Sequence, residues 1–189
     1  MTVGILAMIT LGGCTANVGG AAAPAFSTSA APELPSRAKD LSLQGVDPCT
    51  LLTAAQLDQL KENGTPRPLA KDAQRDGPTC AFDVDAASPT YTYYLETITI
   101  ADLQDWLTGG HHKTSMTQQL VDVPGFPALV NFAPDAGGVQ DCETLVGIAD
   151  GQTLRAEMAP EDRSFTHQQL CDMSTTVAKM AVETLETVK

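Results

Sequence analysis

Four cysteines, Cys49, Cys80, Cys142 and Cys171, constrain what this chain can fold into more than any other feature. An even set of thiols with no Cys-x-x-Cys spacing reads as two disulfides rather than a zinc site. Three pairings can be drawn. The preferred one joins Cys49 to Cys80 and Cys142 to Cys171, because each bridge then staples a helix to a neighbouring strand within its own half. Closing a loop of about thirty residues stabilises by roughly 3 to 4 kcal/mol on the chain-entropy argument. Such bridges persist in oxidising compartments, so this reading requires a chain that leaves the cytoplasm.

The N-terminus supplies a route. An apolar run over residues 3–11 ends in Leu11-Gly12-Gly13-Cys14, the pattern of a bacterial lipoprotein signal. The peptidase needs small residues before its cut, and the acyl transferase needs a thiol to alkylate. Residues 1–13 are therefore expected to be a signal peptide. Cys14 is expected to carry the acyl chains (palmitate or a similar fatty acid) that hold the protein in a bilayer on the extracytoplasmic face of the cell membrane. No Lys or Arg precedes the apolar run, so the usual positive n-region is missing, as it would be if translation began upstream. A transmembrane helix would need about 18 apolar residues, more than this run offers.

Residues 14–45 are rich in Ala, Gly, Pro, Ser and Thr, without apolar periodicity. Such a segment buries too little surface to offset its chain entropy and reads as a tether, reaching on the order of 30 Å by random-coil scaling. Residues 46–189 remain for one globular domain, long enough to bury a real core. The chain has 11 basic and 23 acidic residues, net charge −12. That balance excludes nucleic acid as a partner and direct attraction to an anionic bilayer, and it suits a solvated surface that keeps an exported domain soluble.

Within the domain, Thr53 and Gln56 have capping-box spacing, predicting a helix that ends at Asn63-Gly64. Residues 65–78 hold three prolines and read as a loop. Strands are expected over 80–84 and 91–100, and a short helix with Trp106 over 101–107. Further strands are expected over 117–123 and 128–132, flanking Pro124-Gly125-Phe126-Pro127, and over 142–148 and 153–158. The last two flank Asp150-Gly151, read as a type I′ hairpin turn with positive φ at both residues. In the last strand Leu154, Ala156 and Met158 alternate with Thr153, Arg155 and Glu157, predicting one buried face and one wet face. Residues 164–188 place Leu170, Met173, Val177, Met180, Ala181 and Val188 at helical spacing, so a long C-terminal helix should lay an apolar stripe on the sheet. The fold class is α+β: an antiparallel sheet packed against N-terminal and C-terminal helices, with two disulfides.

The segment Asp47-Pro48-Cys49-Thr50-Leu51-Leu52 resembles the Asp-Pro-Cys-x-Leu-Leu opening of an uncharacterised domain of secreted actinobacterial lipoproteins, mycobacterial ones included. Cys80 with Phe82, Cys142 with Val146, and Cys171 stand where that family places its other cysteines and their neighbours, although Phe82 replaces an expected tryptophan. The resemblance implies the same location, disulfides and fold. It implies no catalytic residues, because the domain is one of unknown function.

Chemistry is thinly marked. His111-His112 beside Gly109-Gly110 is the sole adjacent histidine pair, a weak metal candidate because a stable site needs three or four converging ligands. His167 reads as a surface residue. No Gly-x-Ser-x-Gly elbow occurs, and carboxylate pairs such as Asp83 with Asp85 or Glu161 with Asp162 are what chance produces in so acidic a chain. Asp135 and Asp141 bracket a glycine-bearing turn without calcium-loop spacing. Tyr91, Tyr93, Tyr94 and Trp106 either line a ligand pocket or pack on the sheet. Phe126 is either offered to a partner from an exposed loop or folded inward. No cofactor is called for. The expectation is a lipid-anchored envelope lipoprotein whose domain binds a protein partner or a small ligand without catalysis. The alternative is an envelope enzyme or metal-binding protein with an unrecognised site. A concave polar pocket would favour a ligand, and a flat apolar patch a protein.

Overall fold

The computed structural model describes residues 33–70, 73–134 and 140–188. Cys14, the signal segment, most of the expected tether and Asp135 lie outside them. Helix α1 (Ala54–Leu60) begins as the capping box predicts. Gln56 N–H donates to Thr53 Oγ1, and Thr53 N–H donates to Gln56 Oε1. It ends earlier than Asn63-Gly64, at Lys61 with a φ of 62°. Asn63 is used elsewhere: its Oδ1 accepts from the N–H groups of Asp85 and Ala86, tying the helix exit to the end of a strand.

Seven strands form one antiparallel sheet. They are β1 (Arg67–Pro68), β2 (Thr79–Val84), β3 (Tyr91–Ile98), β4 (Thr117–Val123), β5 (Phe126–Phe132), β6 (Cys142–Ala149) and β7 (Gln152–Pro160), in the order β1-β2-β3-β7-β6-β5-β4. β1 is a short addition inside the stretch read as loop. Helix α2 (Leu103–Leu107) follows β3, and helix α3 (His167–Val188) follows β7. Capping boxes also start α2, with Asp102 and Asp105, and α3, with Thr166 and Gln169. The two disulfides are Cys49–Cys80 and Cys142–Cys171, the preferred pairing; the first pins the turn Pro48–Thr50 to β2 and the second pins β6 to α3.

The main core lies between the sheet and α3. Leu154, Ala156 and Met158 meet Leu170, Val177, Ala181 and Leu185 there, all fully or nearly fully buried. Each large aliphatic side chain so buried contributes about 1.5 to 3 kcal/mol. Val188, placed in the stripe by spacing, is instead exposed at the frayed end of α3. α1 lies beside α3, with Gln56 Nε2 donating to the Met180 carbonyl and Thr184 Oγ1 donating to Gln56 Oε1.

The opposite face is not simply wet. α2 covers part of it, enclosing a second cluster of Ile98, Ala101, Leu103, Trp106, Leu107, Leu129 and Leu145. Thr153 and Arg155, expected to face water, are 0% and 6% exposed. The cause is a covering element from a distant part of the chain, which alternation within one strand cannot reveal.

Two turns and one strap differ from expectation. At Asp150-Gly151 only the glycine has a positive φ, 69°, so the turn is not type I′. The β6–β7 ladder is irregular between Gly147 and Ala149, and the Ile148 carbonyl accepts from Leu41 N–H. Gly125, φ 81°, completes a two-residue turn after Pro124, so β5 starts at Phe126, which is buried in the main core. The inward alternative for Phe126 is the one observed. Residues 37–43, within the segment assigned to the tether by composition, lie against the domain. Leu41 and Leu43 are buried in the main core, Ala38 N–H donates to Gly125 O, and Arg37 pairs with Asp150. Two leucines in an otherwise small-residue stretch outweigh its composition.

Candidate functional site

The register across the middle of the sheet brings charge together. Glu96 on β3 lies opposite Arg155 on β7, and Tyr94 opposite Glu157. Glu157 in turn lies opposite Glu143 on β6, and Glu143 opposite Asn131 on β5. Alternation sends all of these side chains to the face away from α3. Two carboxylates directly opposite one another repel, and the arrangement stands because two guanidiniums thread it. Arg155 Nη2 pairs with Glu96, and its Nη1 is 3.6 Å from Glu143 Oε2. Arg75 Nη1 is 2.6 Å from Glu157 Oε2 and 3.9 Å from Glu96 Oε2. Asn131 Nδ2 donates to Glu143 Oε1 at 2.5 Å.

Three carboxylates thus share two arginines on a floor of buried and half-buried side chains. Burial pushes the carboxyls of Glu96 and Glu143 above the ordinary range, outweighing the arginines that pull them down. Arg75 also lies over the Tyr94 ring, 4.6 Å from its centroid.

The loop over residues 73–78 supplies one wall. Arg155 Nη2 donates to the Gln74 carbonyl at 3.2 Å, and Gly77 N–H donates to Glu96 Oε1 at 2.6 Å. Only glycine allows that approach, because a Cβ at Gly77 would stand 2.1 Å from the Thr97 carbonyl oxygen. The other wall is α2 and the segment after it. Trp106 is buried, with the His111 ring 4.7 Å away and the Arg155 guanidinium 5.7 Å from its centroid. Gln118 Nε2 holds the Trp106 carbonyl at 2.7 Å. The buried Trp106 Nε1 has no hydrogen-bond partner among the described residues. His111 Nε2 reaches Asp76 Oδ1 at 3.6 Å, linking the two walls.

Between the walls is an open cleft of about 510 Å³, lined by Arg75, Asp76, Trp106, His111, Glu143 and Glu157 among others. Its described lining has no Ser, Thr or Cys, hence no hydroxyl or thiol nucleophile. It offers fixed carboxylate acceptors and guanidinium donors, suited to holding a polar molecule in one orientation.

The residues singled out by sequence are divided by the fold. Trp106 and His111 enter the cleft, whereas His112 lines a separate apolar groove with Leu107, Leu120 and Leu129. Among the described residues no three His, Cys, Asp or Glu are grouped to hold a metal ion. Tyr91 and Tyr93 belong to the α3 side, edge to face at 5.3 Å, with Tyr91 also against Phe165. His167 is half-buried, its ring 5.5 Å from that of Phe132. Asp83 pairs with Arg67, and Asp85 accepts from Asn63, so both brace β2. Sequence reasoning missed Glu96, Glu143 and Arg75 entirely. The one available signal was a charge interrupting an apolar strand, as Glu96 does after Leu95 and Arg155 after Leu154.

No helix among the described residues is long and apolar enough to cross a membrane. No curated protein and no solved structure matches the chain. A family model does, over residues 9–184. That match spans the sheet, both disulfides and every residue of the cleft, and the chain belongs to the family described as "Protein of unknown function (DUF3558)".

Proposed function

We propose that this protein is a lipid-anchored lipoprotein of the extracytoplasmic membrane face, whose disulfide-bonded domain holds a small polar ligand. The cleft carries the reading. Its volume of about 510 Å³ falls in the range of small-molecule sites, roughly 300–1,000 Å³. Its floor of buried charge costs stability that a featureless surface would not incur. Of the two kinds of occupant expected from sequence, the concave polar cleft favours the ligand over a protein partner at this site. The anchor rests on Leu11-Gly12-Gly13-Cys14, and the two disulfides fit an oxidising compartment.

Trp106 is the single tryptophan, so the tryptophan emission has one source, in the wall of the cleft. Native mass spectrometry of the chain purified from an oxidising compartment is expected to show added mass beyond the polypeptide. Removing that mass should shift Trp106 emission, and Arg75→Leu should weaken retention by about tenfold or more, as loss of a charge-assisted contact does. A clean polypeptide mass, with emission indifferent to a panel of polar metabolites, would count against a ligand site. Separately, Cys14→Ser is expected to abolish fatty-acid labelling and release the protein from the membrane fraction. Continued labelling would refute the assigned anchor.

A further inference from the structure

We infer that the free edge of β4 is a dimer interface, pairing antiparallel with β4 of a second copy of this chain. The two edges of the sheet are built differently. β1 is two residues long and carries Arg67 and Pro68, features that block strand addition. β4 is seven residues long, with no proline and no basic residue, and Asp122 is its only charge. Among the described residues it pairs with β5 alone, so its outer N–H and C=O groups face no other described strand.

Both faces beside this edge are hollowed. On the α2 side a groove of about 280 Å³ is lined by Leu107, Leu120 and Leu129; on the α3 side one of about 100 Å³ is lined by Val121, Val130 and Phe132. A strand added to β4 would send alternate side chains toward each groove. Leu120 is 46% exposed, one of three large apolar side chains so placed among the described residues.

The sequence of β4 identifies the occupant. In a two-fold register centred on Leu120, that residue faces the partner's Leu120, and Gln119 faces Val121 of the partner subunit. Thr117 faces the partner's Val123, a β-branched pair favourable in sheets. Asp122, which pairs with Lys179 of its own copy, is placed opposite the partner's Gln118, so the one charge on the strand does not meet its own image. Repulsion between two acidic domains is screened beyond about 8 to 10 Å at physiological ionic strength. Pairing with a second copy also closes the assembly, because both outer ends of the joined sheet are then the blocked β1. An added peptide would instead expose a new edge.

Register-specific cross-linking of the full chain, expressed in an oxidising bacterial compartment, tests this. Residues directly opposite in an antiparallel pair lie about 4.5 to 5.5 Å apart at Cα, within disulfide reach. Leu120→Cys is therefore expected to give a covalent homodimer on non-reducing gels. Gln118→Cys places the two thiols roughly 13 Å out of register and should give about a tenth as much, as should the unsubstituted chain with its Cys14. By light scattering the unsubstituted chain should have twice the mass of Leu120→Lys, which sets two ammonium groups against each other on the axis. Equal cross-linking at both positions, a monomeric unsubstituted chain, or capture of a different protein by Leu120→Cys would each overturn the proposal.

Discussion

Replacing Arg155 by methionine is expected to lower the stability of the domain by about 3 to 5 kcal/mol near neutral pH, the usual cost of stripping one partner from a buried ion pair. Glu96 is completely buried and its partner nearly so. Without Arg155 the Glu96 carboxylate keeps the backbone N–H groups of Gly77 and Asp76, and Arg75 Nη1, 3.9 Å from Oε2. Glu143 loses its contact with the Arg155 guanidinium. The double variant Arg155→Met with Glu96→Leu should recover the part of the loss that comes from Glu96, because two apolar side chains leave no unpaired charge at that crossing, while Glu143 stays without its arginine.

The effect should depend on pH with a definite sign. Burial raises the folded-state pKa of Glu96 and of Glu143 above the unfolded value. Between the ordinary carboxylate range and those raised values the folded state binds more protons, so stability falls as pH rises through that window and returns on acidification. Methionine at 155 removes the positive charge that most strongly opposes the rise, widening the window. Urea titrations at about pH 7 and about pH 5 should therefore show a smaller deficit at the lower pH. A loss below about 1 kcal/mol at both would mean that Arg155 does not neutralise the floor.

The second large effect is expected from Cys142→Ala with Cys171→Ala. The bridge closes a sequence separation of 29 residues, for which the chain-entropy argument gives about 3 to 4 kcal/mol, or a drop of about 10 °C in melting temperature for a domain of this size. Cys142 directly precedes Glu143, and Cys171 lies in the first turns of α3. Losing the bridge loosens the anchor of α3 and the strand that carries one third of the acidic floor. Thermal unfolding followed by Trp106 emission, with and without reductant, measures it. Identical melting in both conditions would show that the bridge contributes nothing to the domain.

Much of this architecture was legible because it rests on local chemistry. Thr53 with Gln56 marks a helix start wherever it occurs before an apolar run, and the alternation of Leu154, Ala156 and Met158 marks a strand whatever lies beside it. The disulfide pairing followed from placing each cysteine on such an element. The cleft was not legible, because Glu96 and Arg155 become partners only through the pairing of β3 with β7, and nothing near either residue encodes that register. Phe126 illustrates the same limit: its side depends on Gly125 turning after one residue. Leu41 and Leu43 show composition misleading in the other direction, since two apolar side chains in a polar stretch suffice to fix it against the core.

The pairing of β3 with β7 also governs when the cleft can exist. These strands are neighbours in the middle of the sheet, yet β4, β5 and β6 all lie between them along the chain. A nascent polypeptide presents Glu96 long before it presents Arg155, and a fragment ending before β7 leaves that carboxylate without its Arg155 partner. High contact order of this kind slows folding and makes it cooperative. The charged floor consequently cannot be complete until β7 has been made and has joined the sheet between β3 and β6.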